Sequence, residues 1–142
     1  MEPIAEPKGL EVLSPREKQE LVKLLEEQET RRKYNKLGWF EPYKWQTELC
    51  NATKESRQVL AMTANQIGKS TIGAYIAAIH LTGLYPEWWD GRRFKKPIYA
   101  WTAGVTNDTT RDICQSELFG LAEDEGSWGS GMVPLHCIGE KT

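Results

Sequence analysis

Gly68-Lys69-Ser70-Thr71 closes a polar turn that begins at Thr63, and an apolar helical pattern follows at once. This order of residue types suits phosphate binding. Backbone N–H groups of a tight turn converge on an anion at a helix N-terminus, where the dipole favours negative charge. A lysine in the turn reaches the outer phosphates and the next hydroxyl serves Mg²⁺. Lys69 and Ser70 hold those two positions. The usual spelling is G-x-x-x-x-G-K-[ST], and here the first glycine position is Thr63. The candidate phosphate cradle is therefore Thr63, Ala64, Asn65, Gln66, Ile67, Gly68, Lys69, Ser70 and Thr71.

A second group with chemistry lies about 20 residues upstream, in the FEPYKWQ stretch at residues 40–46. A glutamine amide offers one donor and one acceptor face. Adenine presents the complementary pair at N6 and N7. Gln46 is the candidate adenine reader, and Tyr43 and Trp45 are either stacking partners or core residues.

These residues need elements to hold them. Ser14-Pro15-Arg16-Glu17 reads as a capping box with proline at the first helical position. A charged helix with a narrow stripe (Leu21, Leu24, Leu25) follows to about residue 36, and a second helix spans about 42–54. Val59, Leu60, Ala61 and Met62 predict a strand over 57–62 that enters the turn. Ile72, Tyr75, Ile76 and Ile79 recur at helical spacing and predict a helix over 69–82, with Gly83 as its C-cap. The aromatic and charged residues 85–96 read as an exposed loop or short insertion, solvated with aromatics tucked under it. A second strand is predicted over 97–103, a helix over 107–121 and a weak strand over 135–138. Strands alternating with helices imply an α/β fold, a parallel sheet flanked by helices and joined by a right-handed crossover.

Composition narrows the classes. The chain has 142 residues, enough for one domain, and 39% apolar residues with six tryptophans, enough for a core. A net charge of −2 argues against a chain-wide basic nucleic-acid surface. Three scattered cysteines, Cys50, Cys114 and Cys137, make neither a disulfide framework nor a zinc knuckle. His80 and His136 stand outside any metal-binding pattern, and no basic-plus-apolar leader or long apolar run occurs.

Taken together, FEPYKWQ, TANQIGKST, HLTGLYPEWW and GSWGSGMVP resemble the ATPase region of tailed-phage large terminase subunits, specifically those of short-tailed phages that fill capsids by the headful mechanism. The resemblance covers nearly everything after residue 36. It implies a P-loop NTPase fold of the ASCE/RecA-like type, incomplete at the C-terminus, with residues 1–36 as an arm and charged helix and 37–142 as the first part of the ATPase domain. It also implies ATP and Mg²⁺ as ligands, with Lys69 catalytic and Ser70 in the metal shell. The implied partners are double-stranded viral DNA, a portal protein, a small terminase subunit and further copies in a ring. The implied setting is the cytoplasm of an infected bacterial host.

The chain departs from the family pattern at two places. Asn65 stands where several terminases carry an arginine, so Arg92, Arg93 or Arg111 would have to supply any needed charge. The Asp124-Glu125 pair lacks the preceding apolar strand of a catalytic acidic motif and reads as a polar loop. The acidic strand and a nuclease domain are expected after residue 142, and the chain alone is expected to bind nucleotide weakly if at all and to turn over ATP at background. Another P-loop ATPase of helicase type, or a non-catalytic assembly fragment, are the alternative readings.

Overall fold

The computed structural model describes residues 13–121 and 124–139. By contact density the chain divides into two units, Met1–Arg32 and Lys33–Thr142.

The described part of the first unit is helical. Helix α1 (Pro15–Lys33) starts as its sequence requires: Glu17 N donates to Ser14 Oγ at 3.4 Å, and Ser14 N donates to the Glu17 carboxylate at 2.7 Å. These reciprocal bonds satisfy donors that the first turn leaves open. None of the α1 residues is buried.

The second unit is built around α4 (Lys69–Thr82). Short helices α2 (Lys36–Trp39) and α3 (Lys44–Ala52) precede it. After it come α5 (Asn107–Thr109), a π-helical turn (Thr110–Gln115) and α6 (Ser116–Phe119), running on without a break. Helix α4 ends as expected: Gly83 adopts φ 74° and its N–H donates to Ile79 O at 2.9 Å. Its buried residues are Ile72, Ala74, Tyr75, Ala78 and Ile79. They share a core with Leu37 of α2, Cys50 of α3, Trp89, Leu118 of α6, Met132 and Val133. Each large apolar side chain buried there contributes about 1.5–3 kcal/mol.

Residues 85–96 carry no helix or strand, as a loop would, and Trp89 beneath them supplies part of this core with Tyr85 and Trp88 packed against it. Trp89 is buried, and its indole N–H donates to Arg92 O at 3.1 Å. Phe40 stacks on Tyr75 at 4.3 Å between centroids, and Tyr75 on Trp88 at 5.7 Å. Ring on ring, this column joins the start of the FEPYKWQ stretch to α4.

The expected α/β architecture is corrected by the structure. No β-strand forms among the described residues, so there is no parallel sheet of P-loop type. Residues 58–64 and 97–104 carry no regular secondary structure, and 135–137 form a 3₁₀ turn (Leu135–Cys137) rather than a strand. The physical reason is the missing ladder. A strand is stable only when a neighbour takes its N–H and C=O groups, and neither segment has one here. Their strand-favouring side chains face solvent instead: Leu60 is 82% exposed, Met62 85%, Tyr99 99% and Trp101 94%.

Candidate functional site

The turn before α4 is shaped by two backbone positions. Gln66 has φ 61°, unusual for a residue with a side chain, and Gly68 has φ 85°. Glycine reaches that region without the Cβ penalty that other residues meet. The first bond of the α4 ladder runs from Ile72 N to Gly68 O at 3.0 Å. The N–H groups of Lys69, Ser70 and Thr71 therefore precede the ladder at the positive end of the helix dipole.

Lys69 is folded back on the turn. Its ammonium donates to Ala64 O at 2.7 Å and to Thr63 O at 3.2 Å. The Thr63 hydroxyl is a buried oxygen without a hydrogen-bond partner among the described residues. Asn65, Gln66, Lys69 and Ser70 are exposed, while Ile67, Gly68 and Thr71 are half-buried.

The structure brings the turn and the FEPYKWQ stretch to one place. A cleft of about 770 Å³ is lined by Phe40, Glu41, Tyr43, Trp45 and Gln46 on one side and by Gln66, Ile67, Gly68 and Thr71 on the other. Lys69 lines a separate, more apolar cleft of about 490 Å³ with Arg57, Ile72, His80, Arg92 and Phe94. Gln46 is buried, at 2% exposure, and both ends of its amide are engaged. Its Oε1 accepts from Tyr43 N at 2.8 Å and its Nε2 donates to Gly68 O at 3.3 Å.

Of the candidate arginines, Arg92 lines the cleft that Lys69 lines, and Arg93 and Arg111 line neither cleft. Arg92 N donates to Thr53 Oγ1 at 3.1 Å, and Arg93 donates to Trp89 O at 2.8 Å and lies over the Tyr85 ring. Arg111 pairs with Asp112 at 2.9 Å and Asp108 at 3.7 Å. Asp124 caps the 3₁₀ turn Glu125–Ser127 by accepting from Gly126 N at 3.0 Å, as a polar loop residue would.

At the far end of α4, His80 Nδ1 lies 3.0 Å from the Tyr85 hydroxyl, with Phe94 and Trp89 edge-on to its ring. Burial, and then the Arg92 charge, lower its pKa below the ordinary 6.5. Burial likewise pushes the Cys50 thiol up to about 11.

Compared with known proteins, the chain is 37% identical over 141 residues to the large terminase subunit of Salmonella phage P22, covering 91% of this chain. The chain is thus a relative of a phage large terminase subunit. The resemblance expected from FEPYKWQ, TANQIGKST and their spacing is borne out. The chain spans 28% of the length of the terminase subunit it matches. No family model matches the chain, and no solved structure matches it.

Sequence reasoning missed one feature of this terminase relative, the bond between Gln46 and Gly68. The other bond of the Gln46 amide, from Tyr43 N, had a signal, because glutamine at the third position of a helix commonly returns to the backbone of the cap; the bond to Gly68 O, 22 residues further on, had none.

Proposed function

We propose that this chain carries the nucleotide-binding part of a viral DNA-packaging motor. In the complete protein, ATP binding and hydrolysis would move double-stranded DNA into a procapsid, with a nuclease domain in the remaining sequence. The observation that carries the reading is that the FEPYKWQ stretch meets Gln66, Ile67, Gly68 and Thr71 of the turn at one cleft, with Lys69 lining a second, in a chain similar to a terminase large subunit.

The donor set fits a nucleotide with Mg²⁺. Lys69 is a cation held only by two carbonyls, which a phosphate can replace at little cost. The N–H groups at the start of α4 point along the helix dipole. The exposed Ser70 follows the lysine as the metal-shell hydroxyl does in this class of turn. Bound ATP supplies a phosphoanhydride whose cleavage can drive movement. Lys69 and the first N–H groups of α4 would hold its phosphates. Tyr43 and Trp45 line the cleft beside the turn, where a base would lie.

The proposed partners of the complete protein are viral DNA, a portal protein, a small terminase subunit and sister copies in a ring. Its proposed setting is the cytoplasm of an infected bacterium. Among the described residues no helix is long and apolar enough to cross a membrane.

A chimera tests this reading. This chain replaces the matching segment of the P22 large subunit, and ATP-dependent filling of procapsids with DNA is measured. The expected result is packaging by the chimera and none by its Lys69→Ala form. A soluble chimera that binds ATP and never packages DNA would contradict it.

A further inference from the structure

We propose that Gln46 is a positioning residue that clamps the phosphate turn to the start of α3, rather than a reader of the base. This rests on the phosphate-site reading of the turn.

The geometry of one amide carries the inference. Gln46 Oε1 accepts from Tyr43 N, and Nε2 donates to Gly68 O. Tyr43 N–H can only donate and Gly68 O can only accept, so the orientation of the amide is dictated by its partners. Both partners are main-chain atoms, and Gly68 lies 22 residues further along the chain. The side chain that joins them is buried.

The carbonyl it grips has a second task. Gly68 O also accepts from Ile72 N at 3.0 Å, which makes it the first acceptor of the α4 ladder. The direction of the Lys69, Ser70 and Thr71 N–H groups depends on where α4 begins, and the clamp holds that point. Glycine at 68 lets the amide approach: a Cβ there would lie 3.1 Å from Gln46 Nε2. Gln46 thus acts through the turn on any phosphate ligand, whatever base it carries.

The test uses this chain with Gln46→Glu and Gln46→Met. Glutamate keeps the acceptor for Tyr43 N and loses the donor to Gly68 O. Methionine keeps the volume and loses both, so it serves if the glutamate variant folds poorly. Binding of ATP, GTP and inorganic tripolyphosphate is measured, with backbone amide exchange as a second readout. The clamp predicts that all three ligands weaken by the same factor, roughly ten-fold for a lost buried hydrogen bond. It also predicts faster exchange at residues 68–72 in Gln46→Glu, with the first amides of α3 unchanged. A loss confined to ATP, with tripolyphosphate unaffected, would overturn the clamp in favour of base reading. Unchanged exchange at 68–72 would overturn it as well. If the unaltered chain binds none of the three ligands, the phosphate-site reading fails, and exchange alone decides the clamp.

Discussion

The Lys69 ammonium donates to Ala64 O at 2.7 Å, so the lysine closes the turn on itself. A second bond reaches Thr63 O at 3.2 Å. In this arrangement the exposed cation has two main-chain carbonyls as its partners among the described residues. An incoming phosphate would exchange these neutral acceptors for an anion, adding ion-pair attraction to bonds that the ammonium already makes charge-assisted.

Gly68 is the position where the turn tolerates least change. With φ 85° and Gln46 Nε2 waiting 3.1 Å from any Cβ, Gly68→Ala meets both backbone strain and a contact. The expected loss of stability is about 1–2 kcal/mol, read from urea unfolding. A variant as stable as the parent would mean that the turn readily adopts another path.

Gly91 makes a different case, since its φ is unremarkable and its surroundings are full. A Cβ there would meet Cys50 O, Thr53 Oγ1 at 2.6 Å and Trp89 Cζ2 at 2.7 Å. Gly91→Ala is expected to cost about 1–3 kcal/mol by overpacking. Thermal unfolding checks it, with Gly73→Ala as a control, because an added Cβ at Gly73 meets nothing within 4 Å.

Local patterns were legible where they were self-sufficient. Helix α4 begins at Lys69 and ends at Thr82 as its apolar spacing and Gly83 dictate. The Ser14–Glu17 cap and the helical run from Asn107 also follow from their own residues. The strands did not follow, because Leu60, Met62, Tyr99 and Trp101 satisfy a strand pattern only if other chain segments pair with them. The cleft was half legible. Its two motifs could be named, but their meeting depends on the Phe40–Tyr75 stack and the Gln46–Gly68 bond, both between residues far apart in sequence.

His80 should make stability depend on pH. Its folded pKa lies below 6.5, chiefly through burial. The unfolded chain then binds the proton more readily, so stability is full above pH 6.5 and falls as pH drops through the folded value. Midpoints of unfolding measured from pH 8 to pH 5 should decline on the acid side, and less steeply in His80→Gln. Equal slopes in the two proteins would show that His80 is not the group responsible.

Cysteine reactivity should follow burial. Cys50 is fully buried with its thiol pushed up to about 11, whereas Cys137 is exposed. Brief treatment with iodoacetamide at neutral pH should label Cys137 and leave Cys50 intact until denaturant is added. Mass spectrometry of the peptides reads the order, and early labelling of Cys50 would contradict the packing around α3 and α4.

The most direct test of the phosphate site is calorimetric titration of this chain with ATP, with and without Mg²⁺, beside Lys69→Ala. The account predicts measurable binding that Mg²⁺ strengthens and that falls at least about ten-fold in the variant, the loss expected for one charge-assisted contact. Equal binding by the two proteins would contradict it, because the ligand would then be held somewhere other than the turn at Lys69.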